Sequence, residues 1–234
     1  MTGVQTCALP ISGGYVAAIR ASQLGLKTLV IEKAELGGVC LNWGCIPTKA
    51  LLKSAQVFNY LQHAAEYGIQ AGESKADFGA MVKRSRDVAA GMNKGIQHLF
   101  KKNKVETLMG TAKLLPGKKI EVTDKEGKKS IVEGKNIILA TGGRSRELPN
   151  LKQDGKKVIG YREAMVLPEQ PKSIIIVGAG AIGVEFAYFY NSIGTKVTIV
   201  EFAPRIVPVE DVDVSRELER LYRKYGMTIM TESA

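Results

Sequence analysis

Residues 174–201 read IIIVGAGAIGVEFAYFYNSIGTKVTIVE. An apolar strand runs into Gly178-x-Gly180-x-x-Gly183, a helix follows, and a second apolar strand ends in the acid Glu201. A glycine triplet alone is a weak signal; between a strand and a helix, with an acid closing the next strand, it specifies a dinucleotide-binding unit. Gly178 permits the tight turn, Gly180 lets the backbone approach a pyrophosphate, and Gly183 lets helix and strand pack closely. Ile182 belongs to the same loop and counts with these glycines as a cofactor-facing position. The helix N-terminus then meets the phosphates with unpaired N–H groups and its positive dipole end. Glu201 is expected to hydrogen-bond the adenine ribose, favouring NAD because an acid repels the 2′-phosphate of NADP; Arg205 nearby works the other way. The competing reading is a glycine turn in some other βαβ unit.

The same spacing occurs near the start of the chain. Gly183 precedes Glu201 by 18 residues, and Gly14 precedes Glu32 by the same 18. Between them lie an Ala-rich apolar helix and the run KTLVIE, so residues 13–32 form a second fingerprint in the same register. In that register the first two loop glycines fall on Leu9 and Ile11, which do not tolerate the backbone geometry the loop needs. Residues 1–11, MTGVQTCALPI, match one reading frame of a common sequencing adapter started from GTG. We read them as adapter carried into an assembled gene fragment, which leaves Cys7 without a chemical role. The alternative is a divergent protein with a degraded loop.

Length and composition bound the rest. At 234 residues the chain holds one large or two ordinary domains. Its 45% hydrophobic and 24% charged content suits a globular core. No apolar run reaches the roughly 18–20 residues of a membrane span, and the first 12 residues lack the basic start and long apolar core of a secretory signal; a cytoplasmic protein is expected. Much of the net charge of +10 lies in Lys101 to Lys135. Lysines at turn tips keep strand edges unpaired, and no aromatic residues are interleaved to stack bases, so no nucleic acid partner is expected.

Helices are predicted over 14–24, 47–67 and 77–103, the last with Asp77 as N-cap. Short strands are predicted over 27–32, 106–115, 119–124 and 129–133, with turns at Pro116-Gly117 and Glu126-Gly127. Asn136–Ala140 (NIILA) is predicted as a buried strand ending at Thr141-Gly142-Gly143. A domain boundary is placed near residue 149, giving units 1–149 and 150–234. The second unit comprises strands 173–177 and 196–201 and helices 184–193 and 214–225.

Cys40 and Cys45 lie in GGVCLNWGCIPTKALL, four residues apart. A zinc site usually needs four ligands at close spacing, and His63 and His98 continue no such pattern; no metal is expected. A buried structural pair remains open. Two cysteines flanking a glycine and a helix start suit reversible redox chemistry better, since a helix N-terminus stabilises a thiolate at Cys45 and a small loop permits an accessible, easily reduced disulfide.

These motifs occur in the order Gly-Gly-x-Cys-Leu-Asn-x-Gly-Cys-Ile-Pro-x-Lys, then Ala-Thr-Gly, then the second fingerprint. Over residues 12–234 the chain thereby resembles the flavoprotein pyridine nucleotide–disulfide oxidoreductases. The resemblance implies an α/β fold of two Rossmann-like dinucleotide-binding units, FAD then NAD, with a small antiparallel β-meander in the first. It implies that Cys40 exchanges with the substrate disulfide and Cys45 lies beside the flavin, with Lys49 near the flavin edge and paired to Glu185. For FAD it implies Glu32 at the ribose, Gly13, Gly14, Gly37 and Gly38 along the pyrophosphate and flavin path, Ala112 at the adenine, and Thr141 and Gly142 where the chain leaves the unit. The run Cys-Leu-Asn-Trp-Gly-Cys-Ile-Pro-Thr-Lys is most similar to members that oxidise dihydrolipoamide, carried on a lipoyl domain of a 2-oxoacid dehydrogenase or glycine cleavage complex. Glutathione- and mercuric-reducing members share the architecture. A non-catalytic nucleotide-binding or redox-sensing remnant is the alternative from another class, and the Cys40, Cys45 and Lys49 set argues against it. Family members continue into a C-terminal interface domain whose His–Glu pair acts across a homodimer. The chain is therefore expected to be a fragment without lipoamide turnover of its own.

Overall fold

The computed structural model describes residues 13–143 and 145–233. The readings placed on residues 1–12, including Cys7, Leu9 and Ile11, lie outside the described residues. In chain order the elements are α1 (Gly13–Gln23), β1 (Leu29–Glu32), α2 (Gly38–Trp43), α3 (Cys45–Gln62), α4 (Phe78–Lys102), β2 (Glu106–Met109), β3 (Thr111–Leu115), β4 (Lys119–Thr123), β5 (Lys129–Glu133), α5 (Tyr161–Met165), β6 (Ser173–Val177), α6 (Ala181–Ser192), β7 (Lys196–Val200), α7 (Val212–Lys224) and β8 (Thr228–Met230). No helix among the described residues is long and apolar enough to cross a membrane.

Among the described residues the chain separates into two compact units, the stretch up to residue 47 with 86–152, and 48–85 with the stretch from residue 153 onward. The single boundary expected near residue 149 thus becomes three crossings, two of them inside α3 and α4. Packing explains why 48–85 joins the second unit: Phe78 lies 6.2 Å, ring centre to ring centre, from both Phe189 and Tyr190.

In the first unit, β1 and β2 pair in parallel, with Leu29 opposite Glu106 and Glu32 opposite Met109. Successive side chains of a strand point to opposite faces. Val30 accordingly packs with Ala18, Leu41, Ile96, Phe100 and Val105 on the helical side, while Ile31 packs with Ile120 and Val122 of the meander. The meander is antiparallel in the order β3-β4-β5. The strand predicted over 106–115 is broken at Gly110. Its N–H donates to the Glu32 carbonyl at 2.8 Å, and a Cβ there would meet the Thr123 carbonyl oxygen at 2.7 Å. At that point the chain leaves the parallel ladder for the meander.

The strand predicted over Asn136–Ala140 is not formed; residues 137–143 have no regular structure. Ile137 packs against the Ile31 cluster and Ala140 is buried, but Leu139 is 59% exposed. A strand requires a neighbour to accept its backbone hydrogen bonds, and no ladder among the described residues includes this run.

In the second unit β6, β7 and β8 form a parallel sheet in sequence order, with Ser173 opposite Lys196 and Thr198 opposite Thr228. The core gathers Phe186, Phe189 and Tyr190 of α6 with Val197 and Ile199 of β7. Two buried phenols find carbonyls: Tyr190 Oη donates to Ala164 and Tyr222 Oη to Val184. Asp77 caps α4 as expected, accepting from Ala80 N–H at 2.9 Å.

Candidate functional site

The cysteines bracket a helix–glycine–helix junction. Cys40 is half-buried in the middle of α2, and Cys45, exposed, takes the first position of α3. The sequence reading put a loop here, but Gly38–Trp43 is already helical, entered through Gly37 and Gly38 at φ 99° and 75°. Gly44 makes the junction possible. A Cβ on it would lie 2.9 Å from Cys40 Cα and 3.0 Å from the Val39 carbonyl oxygen, so the chain passes directly over the first cysteine's backbone. Sequence reasoning did not single out Gly44; its only signal was a glycine between two cysteines.

Lys49, four residues after Cys45 in α3, donates through Nζ to Glu185 Oε1 of α6. The lysine side chain is 61% exposed and the carboxylate 27%, and the structure brings this expected pair together across 136 residues of chain. Burial holds the Tyr222 phenol well above its ordinary pKa, and the nearby Glu185 charge adds to the rise.

The loop of the second unit is built as a dinucleotide cradle requires. Gly178 has φ 99°, which favours glycine. Gly180 precedes α6 in extended conformation, and a Cβ there would meet nothing within 4 Å, leaving the face of the loop open to a phosphate. A Cβ on Gly183 would fall 2.0 Å from the Gly178 carbonyl oxygen. Ile182, 60% exposed, lies on the first turn of α6. Glu201 Oε2 accepts from Ala179 N–H at 2.6 Å and Oε1 from Ala203 N–H at 2.8 Å, and each oxygen keeps capacity for a ribose hydroxyl. These residues fit NAD.

One neighbour went unrecognised in the sequence. Val207, at φ 40°, donates its N–H to the Ala179 carbonyl at 2.8 Å; a β-branched residue seldom adopts that conformation. Ala179 is therefore held at both its N–H and its carbonyl. Arg205 does not stand free beside Glu201. Its Nη2 donates to the Pro208 carbonyl at 2.8 Å, and its buried Nε has no hydrogen-bond partner among the described residues.

The first unit repeats part of this arrangement. Glu32, nearly buried at the end of β1, accepts from Ala34 N–H through Oε1 at 2.9 Å, as Glu201 does from Ala203. Gly13 and Gly14 open α1, and a Cβ at Gly13 would meet nothing within 4 Å. These residues fit the ribose and pyrophosphate of FAD as far as the described residues reach. Ala112 sits in β3, packed toward the Ile31 cluster. Thr141 is exposed and Gly142 has φ 74°, both in irregular chain rather than at a strand end.

Comparisons with known proteins place these features in company. The sequence pattern of the pyridine nucleotide-disulphide oxidoreductase family matches residues 12–234. A dihydrolipoyl dehydrogenase of Zymomonas mobilis is 47% identical over 222 residues, 95% of this chain and 48% of its own. One from Chlorobaculum tepidum is 52% identical over 217 residues, 93% of this chain and 46% of its own. The crystal structure of LpdA from Mycobacterium tuberculosis superposes with TM-score 0.89 at 24% identity, covering 99% of this chain and 51% of that one. The HOCl-induced flavoprotein disulfide reductase RclA from Escherichia coli matches with TM-score 0.82 at 25% identity, over 100% of this chain and 49% of its own. The chain spans about half the length of the curated relatives it matches.

Proposed function

Because the chain belongs to the pyridine nucleotide-disulphide oxidoreductase family, we propose that its protein oxidises dihydrolipoamide to lipoamide through the Cys40–Cys45 pair. The observation that carries this reading is the junction in which Gly44 lays the chain over Cys40 and delivers Cys45 to the start of α3. Relatives bearing the name dihydrolipoyl dehydrogenase reach 52% identity, which supports the lipoamide substrate.

The chemistry is thiol–disulfide exchange. One substrate thiolate attacks Cys40 Sγ of the oxidised pair; the S–S bond breaks and Cys45 leaves as thiolate, favoured by the unpaired N–H groups of the α3 N-terminus. The second substrate thiolate then attacks the sulfur bound to Cys40, closing the substrate's own disulfide and releasing Cys40 as thiolate. The substrate loses two electrons and two protons; the cysteine pair gains the electrons as two thiolates, and the protons pass to solvent. Proteins of this family use FAD and NAD(H); when bound, FAD would supply the electron transfer from the cysteine pair to NAD⁺. Glu32 and Gly13-Gly14 would hold FAD, and Gly178, Gly180, Gly183 and Glu201 would hold NAD. Lys49 is the residue we assign to the flavin edge, oriented by Glu185. The proposed partners are a lipoyl-bearing acyltransferase complex and a second copy of the full-length protein.

Reduction of the oxidised chain by dihydrolipoamide, followed by alkylation and peptide mapping, tests the reading. Cys40 and Cys45 should each gain a free thiol, and Cys45→Ser should abolish the disulfide. A pair that stays oxidised under excess dihydrolipoamide would overturn the proposal.

A further inference from the structure

We propose that α4 positions the redox pair: Arg86 and Asn93 hold the residues between Cys40 and Cys45, and so set how readily the pair opens and closes. This rests on the reading of Cys40 and Cys45 as a redox disulfide.

Each of the three residues preceding Gly44 is anchored. Leu41 packs against Ile96 and Phe100 of α4. Asn42 is buried; its Nδ2 donates to the carbonyls of Leu36 at 2.8 Å and Gly38 at 3.0 Å. Asn93 of α4 donates to the same Leu36 carbonyl at 2.6 Å and to Asn42 Oδ1 at 3.3 Å. Gln97, one turn on, donates to Asn93 Oδ1 at 2.7 Å and orients that amide. Trp43 Nε1–H donates to Glu35 Oε2 at 2.7 Å, and the Arg86 guanidinium lies 4.0 Å above the indole ring. Arg86 and Asn93 are seven residues apart and share one face of α4. Gly44 completes the segment by packing on the Cys40 backbone.

The consequence is physical. The ease of closing a disulfide depends on how much chain freedom its formation must remove. Here the intervening segment is immobilised by contacts that do not involve sulfur, so it is held alike in the dithiol and the disulfide. The two thiols keep a high effective concentration toward one another, and the disulfide is favoured. The Arg86–Trp43 contact is of the cation–π kind. Burial lowers the pKa of Arg86 and the Glu35 charge raises it, and a guanidinium remains charged throughout the working range.

The test is the thiol–disulfide equilibrium of the whole chain in dithiothreitol buffers of graded ratio, read by alkylation and peptide mapping. Reduction of Cys40–Cys45 is balanced by closure of the dithiothreitol disulfide. Arg86→Met and Asn93→Leu should each shift the equilibrium about tenfold toward the dithiol, about 30 mV for a two-electron couple. Arg86→Lys, which keeps the cation, should recover most of the shift. Ser22→Ala removes a hydrogen bond from α1 to the Asn103 carbonyl just beyond α4 without touching the clamp. It should lower the urea midpoint and leave the equilibrium in place. If Ser22→Ala shifts the equilibrium as far as Arg86→Met, or if Arg86→Met and Asn93→Leu leave it within twofold of the wild type, the clamp is overturned while the redox reading stands. If the wild type forms no Cys40–Cys45 disulfide at any ratio, the redox reading falls and the clamp with it.

Discussion

At the residue scale, two glycines are held to their identity by contact rather than by backbone angle. Gly183 sits where a methyl would press into the Gly178 carbonyl oxygen, and Gly44 where one would press into the Cys40 backbone. Both neighbours are backbone atoms, which do not swing aside. Gly183→Ala should cost about 1–3 kcal/mol, read as a lower urea midpoint, and should displace the loop enough to abolish NADH binding. Glu201 anchors Ala179 N–H, and we assign it the ribose as well. Losing a hydrogen bond to a charged acceptor costs about 1.5–3 kcal/mol, so Glu201→Ala should weaken NADH binding at least about tenfold in a fluorescence titration. Gly183 was legible because its motif names it. Gly44 and Val207 were not, because their importance lies in which distant atoms they touch.

At the element scale, the long helices and most of the short strands were readable, and α2 and the NIILA run were not. α7 announced itself by charge pattern, and the structure adds its cap: Asp211 accepts from Asp213 N–H at 2.8 Å and Val214 N–H at 3.4 Å. Asp211→Ala should lower stability by about 1 kcal/mol, measured by urea unfolding. α2, six residues opening on glycine, is too short to show a period. NIILA had the composition of a strand but no ladder partner among the described residues, and β propensity is a statement about neighbours as much as about residues. The Lys49–Glu185 contact joins α3 to α6, yet its lysine is largely exposed. Exposed pairs contribute about 0–1 kcal/mol, so Lys49→Met should leave the urea midpoint of the chain nearly unchanged.

At the scale of the whole molecule, each unit carries its own core, and the second has a pH signature. Burial raises the pKa of both Tyr190 and Tyr222. In the unfolded chain these phenols ionise near pH 10. A raised folded value means that their contribution to stability is complete below about pH 10 and is lost as the pH rises above it. The urea midpoint should therefore fall on alkaline titration, and Tyr190→Phe and Tyr222→Phe should each flatten that fall; equal slopes in wild type and variants would contradict it. The sequence by itself determined the order of strands, glycine loops and helices, the repeated 18-residue spacing to Glu32 and Glu201, and the cysteine pair. All of these are written in local periodicity and in residue types that the backbone demands. Only the tertiary structure decided that 48–85 packs with the second unit, that the chain breaks at Gly110 to enter the meander, that Val207 and Glu201 pin Ala179, and that α4 grips the segment between the cysteines. Those are contacts between residues far apart in the chain, and their energies depend on distances that exist only once the fold has closed.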